Sequence, residues 1–211
     1  MLVRPDERVP IARLLAFLEH GEQLAHDCAK AQAALASDKG TQRFLLSQAR
    51  QESAHAWVFQ GAIAWLAPKR LGDSPFLPAL NQYRALLDDA LQRRDFSETL
   101  MAEQIILEGL GEAILARIEE GLAKRNAPFG HLRRILLHQE EAHHNFGCRT
   151  LDRAFAAGAT SPDALRVRAQ EYLALTDRMV STLGDLFQSI DEDPQLYMER
   201  AKSYLPAWLT T

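Results

Sequence analysis

HQEEAHHNFG, residues 138–147, sets two adjacent glutamates and three histidines in ten positions and reads Glu-x-x-His in two frames, Glu140 with His143 and Glu141 with His144. An earlier stretch decides between them. QESAH at 51–55 matches QEEAH at 139–143 in four of five positions, which pairs Glu140 with His143 as Glu52 pairs with His55. Residues three apart share a face about one turn apart on a helix, so both stretches read as helical. Periodicity selects the same frame. The Glu140 stripe holds Leu132, Leu136, His143, Gly147 and Leu151, whereas the Glu141 stripe holds Arg134, His138, Asn145 and Asp152. The first is expected to face a core and the second water. The Glu52 stripe runs likewise through Leu45, Ala49, His55, Phe59, Ala62 and Leu66. Two helices therefore each place a carboxylate and an imidazole among apolar side chains.

Outward from these stretches, apolar residues recur every three or four positions in nearly every segment, and no run has the alternating β-branched character of a strand. The chain reads as all-α. Helices are expected over Ile11–Leu35 after Pro10, Thr41–Leu66 after a turn at Ser37, Asp38 and Gly40, and Ala79–Arg93 in a crossover that follows APKRLGDSPFLP. Further helices are expected over Glu98–Lys124 with Ser97 as its cap, Phe129–Phe155 after the Asn126-Ala127-Pro128 break, Pro162–Ile190 capped by Ser161, and Pro194–Tyr204. Hairpin, crossover and hairpin describe a ferritin-like four-helix bundle with additional C-terminal helices, in a single domain spanning residues 1–211.

Burying a carboxylate is costly unless something compensates it, and a cation does so. Paired Glu-x-x-His helices with one inward Glu from each of two other helices are the general pattern of di-iron and di-manganese bundles. In the first helix Glu22 is the only charge on a stripe of Ile11, Leu15, Leu18, Ala25, Ala29 and Ala33, while Glu19 shares its side with Gln23, His26 and Lys30. The helix expected over Glu98–Lys124 offers Glu103, Glu108 and Glu112; Glu108 lies on a stripe with Met101, Ile105 and Leu115, and stands nearly as far before Glu140 as Glu22 does before Glu52. Glu112 lies on nearly the same face and remains an alternative, as ligand or as a supporting group. The expected ligand set is Glu22, Glu52, His55, Glu108, Glu140 and His143. His26, His138 and His144 read as solvated or hydrogen-bonded, with His144 as a conceivable added ligand. Trp57, Phe59, Trp65, Phe146 and Phe155 read as core, and Cys148 as a small packing residue. Gly61, Gly109 and Gly111, with Ala62 and Ala113, fit either a channel beside the metals or close helix packing.

HGEQLAHD at 20–27, IILE at 105–108 and EEAHHNFG at 140–147 resemble the aldehyde-deformylating oxygenases, ferritin-like di-iron enzymes with GEQ-x-AHD and E-x-x-H-x-N-[YF]-G stretches. The resemblance implies the same six ligands, two iron ions with manganese as the alternative, and O2 as co-substrate. It covers the metal-binding helices. QESAHAWVF and the crossover differ, so it implies the cofactor and oxygen chemistry more firmly than an aldehyde substrate.

Composition bounds the rest. With 211 residues, 47% of them apolar, and Lys+Arg 24 against Asp+Glu 28, the chain can bury a core and is too balanced for nucleic acid to be its main partner. No secretory signal pattern or membrane span is legible, which makes a cytoplasmic location the expectation. Cys28 and Cys148 have no CxxC spacing and read as reduced thiols. Expected partners are a small or lipid-like organic substrate and an external electron donor such as ferredoxin or a reductase; a dimer is one expectation for the oligomeric state. The alternative function is iron oxidation, storage or peroxide detoxification of the ferritin or rubrerythrin kind, although no rubredoxin-like cysteine tetrad is present. A third is a structural bundle with a degenerate site.

Overall fold

Asp38 turns the chain into its first hairpin, capping α2 (Lys39–Leu66) by accepting from the backbone N–H of Gly40 and Thr41 at 2.8 and 2.9 Å. Its partner α1 (Arg8–Leu35) begins before the expected Ile11, because Pro10 falls in the first turn, where an N–H would have no intrahelical acceptor. The computed structural model describes residues 3–67, 71–72, 74–127, 129–189 and 193–210. Lys69 and Arg70 of the APKRLGDSPFLP stretch, Pro128 of the expected break and Ile190, the expected end of a helix, lie outside the described residues.

The crossover is α3 (Leu77–Gln92), after which the chain returns in one long rod. That rod comprises α4 (Phe96–Leu100), a π-helical segment (Met101–Leu107) and α5 (Glu108–Lys124). Its cap is Asp95 rather than the expected Ser97: the Asp95 carboxylate accepts from the Glu98 N–H at 2.9 Å. The fourth long helix is α6 (Gly130–Ala156). Ser161 caps α7 (Pro162–Ser181) as expected, accepting from the Ala164 N–H at 3.2 Å. The helix expected to reach Ile190 stops at Ser181 and resumes as α8 (Gly184–Ser189). There the hydroxyls of Ser181 and Thr182 donate to the carbonyls of Asp177 and Met179, competing with the backbone ladder, and Gly184 follows with poor helix propensity. The chain continues through α9 (Pro194–Tyr204) and a short α10 (Ala207–Thr210) that the periodicity did not mark.

The bundle is formed by α1, α2, the rod and α6, with α3 and α7 packed together on one side and α9 laid against α5. Buried Glu98 ties α7 to the rod, accepting from Arg93, Arg168 and the Tyr172 hydroxyl. Phe59 and Phe146 are buried as expected, and Phe155 packs half-buried against Trp208. Trp57 and Trp65 are not core residues: they are 73% and 59% exposed. Each sits about 140° around α2 from Glu52, on opposite flanks, so helical spacing alone did not make them inward. Leu132, expected on the core stripe of α6, is 61% exposed at the end of that stripe.

Candidate metal centre

The structure brings the six predicted residues together at the middle of the bundle. Glu22 comes from α1, Glu52 and His55 from α2, Glu108 from the start of α5, and Glu140 and His143 from α6. They form two overlapping tetrads, Glu22–Glu52–His55–Glu140 and Glu52–Glu108–Glu140–His143, each offering donor atoms within 4.8 Å of one another. Glu52 and Glu140 belong to both. All six side chains are buried, Glu52 completely. His55 Nδ1 lies 2.9 Å from Glu140, 3.1 Å from Glu52 and 3.3 Å from Glu22; His143 Nδ1 lies 2.8 Å from Glu52 and 3.7 Å from Glu108.

The repeat does more than supply ligands. Gln139 of α6 puts its amide oxygen 2.9 Å from His55 Nε2, and Gln51 of α2 puts its own 2.7 Å from His143 Nε2. Each glutamine therefore serves the histidine of the other helix. An amide oxygen can only accept, so each Nε2 carries the proton and each Nδ1 is left to face the carboxylates. The signal was present in the sequence, since glutamine is one of the four identical positions of QESAH and QEEAH.

The π segment was not legible, and it brings Glu103, which helical phase passes over in favour of Glu108, up beside the centre. The Glu108 N–H bonds to the Glu103 carbonyl, five residues back. On a straight α-helix those two side chains would point about 140° apart, whereas one wide turn stacks them on one face. The Gln48 amide donates to both, at 3.0 Å to Glu103 and 2.8 Å to Glu108. Gln104 and Gln32 exchange amide hydrogen bonds beside them at 2.7 and 3.0 Å. α6 reaches this segment only because residue 147 is glycine: a Cβ there would stand 2.6 Å from Gln104 Cβ.

The electrostatics of this cluster suit a cation. Burial pushes the Glu22 and Glu108 carboxyls well above the usual carboxylate range, and neighbouring Glu140 and Glu52 push further. Burial also opposes the charged forms of Glu52 and His55, but opposite charge wins: His143 and His55 lower Glu52, and Glu140, Glu22 and Glu52 raise His55. Both oxygens of Glu52, Oε1 of Glu140 and Nδ1 of His143 nevertheless have no hydrogen-bond partner. Their short approaches to one another have ligand spacing without hydrogen-bond geometry. Carboxylates and imidazoles with no thiolate fit iron(II) or manganese(II).

The remaining candidates fall outside both tetrads. Glu112 is hydrogen-bonded to Tyr204 of α9, with its pKa raised to about 7 chiefly by burial. His144 is buried with its ring edge-on to Tyr204, 6.0 Å between centroids, and Cys148 Sγ lies 3.9 Å from its Nε2. His26 bonds to the Ala49 carbonyl at 2.6 Å, and His138 pairs with Glu141 at the surface. Glu19 is buried despite its polar stripe, because Gln23 and Gln60 each donate to it at 2.7 Å. Gly109 serves packing, with Tyr204 and His144 against it, while Gly111 and Gly21 border a void of about 30 Å³ beside Glu22, Glu108 and Glu140. That is room for a water-sized molecule.

A larger cavity of about 350 Å³ lies farther along the bundle, within the size range of small-molecule sites. Its lining is overwhelmingly apolar and includes Phe59, Leu115 and Leu136. Phe59 is one turn beyond His55 and Leu136 one turn before Glu140, so the cavity's lining comes within one helical turn of the centre.

Among solved structures, the chain is similar to "Protein 19 with aldehyde deformylating oxidase activity" from Synechococcus. The TM-score is 0.82 at 18% sequence identity, over 100% of this chain and 92% of that one. No family model matches the chain, and no curated protein matches it in sequence. The fold is thus that of the ferritin-like bundles, and it resembles the aldehyde-deformylating oxygenases.

Proposed function

We propose that the protein is a non-haem di-iron oxidoreductase, an oxygenase or oxidase that uses O2 on a small or lipid-like organic substrate. The observation that carries this reading is the pair of buried tetrads sharing Glu52 and Glu140, with carboxylate oxygens that no hydrogen bond satisfies. Glu22 and His55 would hold one ion, Glu108 and His143 the other, and Glu52 and Glu140 would span both. Two ferrous ions bound there would supply the two electrons that reduce O2 to the peroxide level, with manganese as an alternative metal. Gln139 and Gln51 hold the Nε2 protons of His55 and His143, which keeps each Nδ1 directed inward. The apolar cavity would hold a hydrocarbon chain with its near end one helical turn from the carboxylates. A fatty aldehyde is one candidate substrate, in keeping with the activity in the structural neighbour's name. Electrons for turnover would come from an external donor such as ferredoxin or a reductase.

An apolar cavity next to the centre favours an organic substrate over iron storage or peroxide removal. Elemental analysis after growth with iron is expected to find about two irons per chain. Exposing the anaerobically reduced protein to O2, with and without long-chain aldehydes, alcohols or acids, should give a transient absorbance whose decay one class accelerates. Glu52→Ala and Glu140→Ala should each abolish metal binding. Stoichiometric iron and manganese both absent would overturn the reading, and elution as a very large particle would turn it toward storage.

A further inference from the structure

Apolar side chains exposed singly are ordinary, but on this molecule several gather at one seam. The two Gln–His bonds set α2 antiparallel to α6 with 51 level with 143 and 55 level with 139. Carried outward, that register sets Val58 level with Leu136, Ala62 with Leu132 and Trp65 with Phe129. Val58, Trp65, Phe129 and Leu132 are 61, 59, 72 and 61% exposed. Val58 and Trp65 also line the 350 Å³ cavity, so the cavity meets the surface at this seam. Phe129 adds an independent sign: it holds φ at 63°, a left-handed conformation costly for a bulky residue, while its ring packs little.

We propose that the α2–α6 seam docks on an anionic lipid bilayer and that the apolar cavity is loaded from it. Charge favours a lipid surface. Around the cavity Glu7 is paired with Arg4 and Arg125, and Glu119 with Arg133, while Arg8, Lys124 and Arg134 add positive charge beyond these pairs, in a chain whose net charge is −4. The Arg8 guanidinium lies over the Trp65 ring, 5.6 Å from its centroid, and donates to the Trp65 carbonyl at 2.7 Å. An aromatic ring beside a cation matches the bilayer interface, where the ring enters the acyl boundary and the cation meets headgroup phosphate. No helix among the described residues is long and apolar enough to cross a membrane, so the contact would be peripheral. The loading step rests on the reading of the centre as acting on an apolar substrate; the docking does not.

Co-sedimentation with vesicles of equal parts phosphatidylcholine and phosphatidylglycerol tests it, using metal-loaded and chelator-treated protein. Binding is expected at low salt, weaker on phosphatidylcholine alone, and present in both preparations, so that failure of the oxygenase reading would leave it standing. Trp65→Ser with Leu132→Ser should lower the partition coefficient at least about tenfold. Lys124→Glu with Arg134→Glu should remove the salt-sensitive part. Trp57→Ser, an exposed tryptophan on the other flank of α2, should change nothing; circular dichroism would verify folding of each variant. Absence of binding to any vesicle, or equal loss in Trp57→Ser, would overturn the proposal. So would a dimer in sedimentation velocity that the Trp65→Ser/Leu132→Ser change dissociates, since a second copy would then cover the seam.

Discussion

Gln51 and Gln139 sit one residue before a carboxylate, yet each acts on the opposite helix, accepting from His143 and His55 at 2.7 and 2.9 Å. Losing such a partner typically lowers metal affinity about 10–100-fold. Gln51→Leu and Gln139→Leu are each expected to do so, measured by competition for Mn(II) against a chelator. Glu112 offers a pH test. Its pKa rises from 4.5 in the free side chain to about 7 when folded, mainly through burial. Between these values the unfolded chain releases its proton first, so the native state binds more protons and stability falls as pH rises through the window. Glu112→Gln cannot ionise. Its melting temperature should match that of the parent near pH 4 and exceed it above pH 7, with metal content unchanged; lost metal would instead make Glu112 a ligand. The inward faces of Glu22, Glu52, Glu108 and Glu140 were legible from helical phase. Glu103 was missed because that phase assumes a straight α-helix.

The rod of α4, π segment and α5 shows what one wide turn achieves. Met101–Leu107 reads as an unbroken amphipathic helix, and nothing in its composition marks a bond spanning five residues instead of four. The turn places Glu103 and Glu108 under one glutamine, Gln48, and presses Gln104 against Gly147 of α6. Gly147→Ala would drive a methyl to 2.6 Å from Gln104 Cβ and 3.5 Å from its carbonyl carbon. A cost of about 1–3 kcal/mol is expected in urea unfolding, together with weaker metal binding. Gly111→Ala is the control. A Cβ there meets nothing within 4 Å, so helix propensity should make it stabilising by about 0.5–1 kcal/mol.

At the scale of the molecule, a bundle that gathers four carboxylates without hydrogen-bond partners for several of their oxygens should be stabilised by a bound metal. Chelation is expected to lower the melting temperature, and anaerobic iron(II) or manganese(II) to restore it in proportion to the logarithm of free metal, as mass action requires. A melting temperature indifferent to both would speak against a metal at the tetrads. The sequence by itself determined the all-α class, the long helices and the inward phase of six donor residues. Those properties depend on spacing within one helix and on a motif written twice. Only the tertiary structure decided that Gln51 and Gln139 cross to the opposite histidines, that Glu103 joins Glu108, and that Trp57 and Trp65 face outward. It also formed the apolar cavity one helical turn from the centre and opened it at the α2–α6 seam. Each of these depends on the register of one helix against another, or on a single changed hydrogen bond inside a helix, and helical periodicity carries no record of either.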